Sequence, residues 1–170
     1  MKNVKMFYTE AALERLKKKY AVWSAIFAVL VFALIAFCIF EVATVDTANE
    51  ASHRTAVTAV SALGGCVAIY VGLFPVYGTK RAADHAALML AGGETASTER
   101  GRVFRTAAPV MQIPKSVRAA RVSVDCGGDR KSFSVCDEHL DLLPEDGEEY
   151  LFFTVHGFIT GYAEADDEGD

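Results

Sequence analysis

The densest run of reactive side chains in the sequence is Cys136-Asp137-Glu138-His139, a thiol, two carboxylates and an imidazole within four positions. Converging in space, such groups supply a nucleophile, a base and a partner that orients the base. Consecutive residues at a strand-to-helix junction point in different directions, so this spacing argues against a hydrolytic cluster. His156 precedes a glycine in a turn signal and is expected to serve the turn. Asp84 and His85 are neighbours and share no helix face, and no metal-ligand spacing surrounds them. The chain has no Gly-x-Ser-x-Gly, His-Glu-x-x-His or phosphate-binding glycine loop, and no cysteine pair with Cys-x-x-Cys spacing. The sequence therefore predicts no enzyme: no catalytic residue, no metal site and no cofactor.

Any function must then come from where the chain places its surfaces. Residues 22–40, VWSAIFAVLVFALIAFCIF, and residues 56–78 carry no charge over nineteen and twenty-three positions. As helices these are rods of roughly 28 and 34 Å, set against a hydrocarbon core of about 30 Å. The sequence predicts two transmembrane helices, over 22–42 and 56–78, joined by an outer loop of residues 43–55. Lys2, Lys5, Arg15, Lys17, Lys18 and Lys19 precede the first span, and Lys80 and Arg81 follow the second. The connection from Glu41 to Arg54 has Arg54 as its one basic residue, beside Glu41, Asp46 and Glu50. That asymmetry predicts a multi-pass protein of the cell (inner) membrane with both termini cytoplasmic. Ahead of the first span, residues 1–21 read as an amphipathic helix capped at Thr9, its lysines placed for anionic headgroups. Residues 79–101 read as a short helix ended by Gly92 and Gly93, then a flexible linker.

Within the second span Gly64, Ala68 and Gly72 recur every four residues, with Ser61 and Gly65 beside them. In lipid, close backbone approach through small residues is a main source of helix attraction. The stripe predicts a groove that either packs the internal hairpin, filled by Ser24, Ala25, Ala28, Ala33 and Ala36, or receives a second copy or a membrane partner. No ionisable residue lies inside either uncharged run, which argues against an ion path. Cys38 and Cys66 fall in these runs, where a thiol acts as a small hydrophobe.

From residue 102 the pattern turns to short Val- and Phe-rich segments, a strand signal. Residues 102–113 read as a first strand, interrupted at Pro109 and ended near Pro114. Residues 117–126 and 130–136 flank Gly127-Gly128, a tight-hairpin signal. A two-residue turn there pairs Asp125 with Arg130, Ser123 with Ser132 and Arg121 with Ser134. The other face sets Ala120, Val122 and Val124 against Val135, Phe133 and Lys131. In this register Cys126 and Cys136 stand roughly 20 Å apart, too far for a disulfide. Residues 137–147 read as a short helix and the last stretch as a hairpin around His156-Gly157, leaving an acidic tail, 165–170. Five strands with a helix between the third and fourth predict an all-β domain over 102–164, a five-stranded OB-like barrel.

Spanning helices followed by an OB-like domain of this size resemble the layout of NfeD-type bacterial membrane proteins. The likeness covers roughly residues 102–164 in strand order and rests on no diagnostic motif. It implies a soluble domain that supports protein interaction at the membrane. Lys115, Arg118 and Arg121 lie on or beside the first loop and second strand, part of the usual OB binding face. The expected partners are the bilayer and a protein or a second copy of the chain. Anionic lipid headgroups are an alternative for the basic face. Single-stranded nucleic acid fits less well with a net charge of −5.

Overall fold

The computed structural model describes residues 3–45, 49–104, 111–112, 117–144 and 147–165, and the chain divides into two compact units. One comprises Arg15–Lys80; the other joins Met1–Glu14 to Arg81–Asp170. Lys115, the interrupted stretch 105–110, part of the outer loop (46–48) and the acidic residues 166–170 lie outside the described residues.

Helix α1 runs Glu10–Ala43 and α2 runs Glu50–Val71. Thr9 starts the first by accepting a hydrogen bond from the Ala12 amide on its side-chain oxygen at 3.2 Å. Helix α1 and the continuous helical stretch Glu50–Ala91 that α2 begins are long and apolar enough to cross a membrane, and only 0% and 6% of their most apolar windows are buried. Val29, Phe32, Leu63 and Phe74 remain 66–72% exposed. A soluble core helix would have those side chains inside. Gly72–Val76 is a π-helical turn containing Pro75. A proline lacks an amide hydrogen and crowds the carbonyl four residues back, and the wider turn accommodates both defects. Helix α3 follows over Tyr77–Ala91.

Inside the helical unit, contacts run antiparallel. His53 Nδ1 lies 2.5 Å from a Glu41 carboxylate oxygen, and Cys38 Sγ lies 3.4 Å from Ser61 Oγ. An added Cβ at Gly64 would meet Leu34 Cδ2 at 2.2 Å, and one at Gly72 would meet Phe27 Cε2 at 3.1 Å. Phe27, Leu34 and Glu41 are spaced by seven and form one stripe. This corrects the expected filling of the groove. A notch lacking side chains accepts large knobs, and Leu34 and Phe27 occupy it at Gly64 and Gly72.

The second unit is a closed five-stranded mixed barrel built from β2 (Ser97–Phe104), β4 (Arg118–Cys126), β5 (Asp129–Cys136), β6 (Glu149–Val155) and β7 (Phe158–Glu164). Short strands β1 (Lys5–Met6) and β3 (Met111–Gln112) add to β7 and β4. β2 pairs antiparallel with β4 and β6, and β6 with β7. β7 meets β5 in parallel at Phe158 and Ser134, which closes the ring. A 3-10 turn, Asp137–Leu142, separates β5 from β6, completing an OB-like plan. Val103, Val122, Val124, Val135, Phe152 and Ile159 fill the interior, each at most 3% exposed.

The β4–β5 hairpin has the register read from the sequence, including Asp125–Arg130, Arg121–Ser134 and Val122–Phe133. Gly127 and Gly128 take φ of +69° and +103°, and the Asp125 carboxylate accepts the Gly128 amide at 2.8 Å. Cys126 and Cys136 are both free, as their separation requires.

Several boundaries differ from the sequence reading: α2 begins at Glu50, inside the segment read as outer loop 43–55, and the helix read over 137–147 is a 3-10 turn that ends at Leu142. The first strand begins at Ser97, inside the segment read as linker. Its early residues are polar, and the ladder to β6 carries them together with a Ser97–Thr154 side-chain hydrogen bond of 2.7 Å and a Glu99–Lys131 ion pair of 2.8 Å. The helix expected over residues 1–21 begins only at Glu10, because Lys5–Met6 is a strand paired with β7 through Tyr162 and Gly161. A Cβ at residue 161 would stand 2.6 Å from the Lys5 carbonyl oxygen, so β1 approaches this closely only because Gly161 has none.

Candidate functional site

On β5 the side chains alternate, with Phe133 and Val135 pointing inward and Ser132, Ser134 and Cys136 outward. Cys136, opposite Ala119, is therefore on the outside of the barrel, yet the two are 5% and 1% exposed. The cover comes from two distant parts of the chain. Phe7 and Tyr8, just after β1, are 7% and 8% exposed, and α3 buries Ala83, Ala86 and Met89 at three-residue spacing.

These segments meet in a polar cluster. Tyr8 Oη donates to Cys136 Sγ at 3.0 Å, and His85 Nε2 lies 3.2 Å from Tyr8 Oη and 3.4 Å from Cys136 Sγ. With the phenol proton directed at sulfur, a hydrogen on Nε2 of His85 completes the triangle. His139, from the 3-10 turn, stacks on Phe7 with ring centroids 5.3 Å apart and meets Tyr8 edge-on at 5.1 Å. His85 in turn packs edge-on against Phe158 at 4.9 Å. His139 Nδ1 is buried and has no hydrogen-bond partner among the described residues.

Every titratable member of the cluster is driven toward its neutral form. Burial, reinforced by the hydrogen bond to Cys136, pushes the Tyr8 phenol up. Burial likewise pushes the Cys136 thiol up, against the lowering effect of the Tyr8 hydrogen bond. Burial pushes His85 down, with His139 adding to the effect, and burial pushes His139 down against the opposing pull of Glu138. A cysteine nucleophile needs access and a thiolate, and Cys136 is offered neither. What the arrangement does chemically is fasten three chain segments, separated by 51 to 128 positions, through neutral hydrogen bonds and ring contacts.

The structure thus joins Cys136, His139 and His85, which the sequence reading set apart, and adds Tyr8, which it did not consider. No periodic signal marks Tyr8; the aromatic pair Phe7-Tyr8 directly before a helix cap is the one local hint. Asp137 and Glu138 flank the cluster on the 3-10 turn, while His156 is exposed in the β6–β7 turn with φ of +50°.

Arg118 and Arg121 are both exposed on β4, three positions apart, so the pleat sends them to opposite sides of the strand. Arg121 stands across from Ser134 and shares the polar outer face with Ser123. Arg118 stands across from Gln112 of β3. Of the helix stripe, Gly64 and Gly72 face α1, Ala68 is buried, Ser61 bonds Cys38, and Gly65 has nothing within 4 Å of where a Cβ would be. Among the described residues no three His, Cys, Asp or Glu side chains form a group that could hold a metal ion. The chain matches no family model, no curated protein and no solved structure.

Proposed function

We propose that this chain is a non-catalytic membrane adaptor whose OB-like barrel, tethered in the cytoplasm by two spanning helices, binds a protein partner. The observation that carries the reading is the contrast between the two units. The barrel has a filled interior and closed edges, whereas the two helices leave their most apolar stretches almost wholly uncovered. Lipid is the solvent that relieves such exposure along two rods of spanning length. Pairing of Lys5–Met6 with β7 supports both ends of the chain lying in one compartment, since an even number of crossings must separate them. The distribution of Lys and Arg favours the cytoplasm for that compartment. The layout is also what carries the resemblance to NfeD-type proteins.

With the Cys136 and His85 side chains committed to internal packing, the exposed polar face of β4 and β5 around Arg121 is the partner surface we propose. The test is crosslinking and pull-down from native membranes with the full chain and with Arg118→Glu/Arg121→Glu. A partner recovered with the parent and lost with the charge reversal supports the adaptor reading. Retention by anionic vesicles, or salt-sensitive retention of single-stranded RNA, in place of a protein would replace it. Release of the full chain from membranes by high salt or carbonate without detergent would remove its premise.

A further inference from the structure

We propose that residues 3–8 form a proton-released latch: protonation of His85 and His139 unseats Phe7 and Tyr8 and frees the edge of β7. The proposal depends neither on the membrane nor on the adaptor reading. It begins from how little holds the segment. β1 has two residues and, among the described residues, one strand neighbour, β7. Beyond that ladder the backbone adds the Phe7 amide to the Thr160 carbonyl at 2.8 Å, and the side chains add Asn3 to Glu164 at 3.0 Å. The barrel beneath it is held by long ladders of β4 with β5, β2 with β6 and β6 with β7, and its closure, the single β5–β7 pair at Ser134 and Phe158, is short. Local opening of the segment is therefore far cheaper than opening of the barrel.

The remaining hold is the Tyr8 hydrogen bond to Cys136 at 3.0 Å, the contacts of Phe7 and Lys5 with the Tyr162 ring, and the two imidazoles, which are the members of this set that gain charge on mild acidification. His139 lies against both Phe7 and Tyr8, and His85 touches Tyr8 by hydrogen bond and ring edge. The groups facing this pair are known from each element. The N-terminal segment offers the neutral phenol of Tyr8, β5 the neutral thiol of Cys136, and β7 the uncharged ring of Phe158. Only the 3-10 turn offers charge, from Glu138, which favours protonated His139. Glu138 and, less strongly, Asp137 also act on Cys136, and Glu138 on Tyr8, each favouring the neutral form. His85 thus has no counter-charge facing it among these groups, and a proton on His139 works against a proton on His85. A second hydrogen on either ring also places a charge in a buried site, a cost that the Glu138 carboxylate and backbone offset only in part for His139.

The sign follows from burial lowering both imidazoles. The latched state binds fewer protons than the open one, so the latch is at full strength above the ordinary histidine value of about 6.5. It weakens as pH falls from there through the lowered values. Each histidine contributes up to about tenfold per pH unit in that window, so two contribute up to about a hundredfold. The unseated state exposes the Gly161–Tyr162 edge, where an extended peptide could add as a strand.

The experiment is hydrogen exchange by mass spectrometry on the full chain in lipid nanodiscs at pH 7.5 and 5.0, expressed as protection after correction for intrinsic exchange. Protection of residues 3–8 and of the β7 edge is expected to fall at least tenfold at pH 5.0, with β4 and β5 unchanged. The His85→Phe/His139→Phe chain should lose this pH dependence. Should that variant lose barrel protection at pH 7.5, His139→Phe alone serves, with roughly half the logarithmic fall expected. Equal protection at both pH values in the parent, loss of the barrel together with the latch, or an undiminished fall in the variant that folds would each overturn the proposal.

Discussion

Substituting Gly161 by alanine isolates the seat of β1 from the rest of the barrel. The added Cβ would stand 2.6 Å from the Lys5 carbonyl oxygen, 2.8 Å from Met6 Sδ and 3.1 Å from Met6 Cα. The sulfur belongs to a flexible side chain and can move aside. The carbonyl and the Cα are backbone, so the strand itself must retreat, stretching the Phe7 amide bond to Thr160 and lifting Phe7 and Tyr8 from their bed. Insertion of a methyl group into a filled contact costs typically about 1–3 kcal/mol. At 1.4 kcal/mol per tenfold, the open population of residues 3–8 rises by roughly 5- to 150-fold. Hydrogen exchange at pH 7.5 should report this as an equal loss of protection at Phe7, with β4 and β5 unaltered. Gly93→Ala is the control, since nothing lies within 4 Å of that Cβ. Protection at Phe7 that is unchanged in Gly161→Ala would refute the close packing of β1 on β7.

Gly101→Ala should destabilise the barrel as a whole, because its Cβ would meet the Asp125 carbonyl oxygen at 2.5 Å within the β2–β4 pair. About 1–3 kcal/mol is expected, read as a fall in thermal midpoint of roughly 4 °C or more. In the helical unit, Ser61→Cys should crosslink to Cys38 on mild oxidation, since the present Sγ–Oγ distance is 3.4 Å. Gly64→Ile should suppress that crosslink by displacing Leu34, whereas Gly65→Ile should spare it; equal behaviour would contradict the described helix contact. A barrel made from residues 81–165 should gain stability when residues 3–9 are appended after residue 165 through a short glycine-rich turn, because Asn3 and Glu164 are already hydrogen-bonded neighbours. No rise in its thermal midpoint would deny the segment a structural role. The Tyr150 phenol, pushed up to about 12 chiefly by its hydrogen bond to Glu148, should titrate nearer the ordinary 10 in Glu148→Gln, followed by ultraviolet absorbance.

The parts of this fold that the sequence made legible are those whose information is local. Gly127-Gly128 allows a two-residue turn, and the alternation on either side then leaves one register that buries Val122, Val124, Phe133 and Val135. Length and lack of charge do the same for the two apolar helices. Ser97 to Arg100 escaped because their strand is held by pairing and ion pairs instead of by an apolar alternation. The cluster of Tyr8, His85 and Cys136 escaped for a stronger reason. Single residues carry no period, and each needs a partner from a segment that pattern reading treats as separate. Cys136 continues the outward face of β5 in sequence and turns into a buried position only because residues from 51 and 128 positions away lie over it.

Those long separations bear on how the molecule is assembled. The unit containing the barrel consists of Met1–Glu14 and Arg81–Asp170, so the helical hairpin is, in chain order, an insertion between the first strand and the rest of one domain. Insertions are tolerated where the flanking chain ends lie close together, and here Tyr8 and His85, on either side of the insertion, are in hydrogen-bond contact. β1 waits for its partner longer than any other strand, because β7 is the last to be made. Among the described strand pairs, β1 with β7 has the largest loop to close, and it can reward that cost only after the barrel supplies the bed beneath Phe7 and Tyr8. The N-terminal segment is therefore expected to seat late and to open early, so perturbations should appear there before they reach the core.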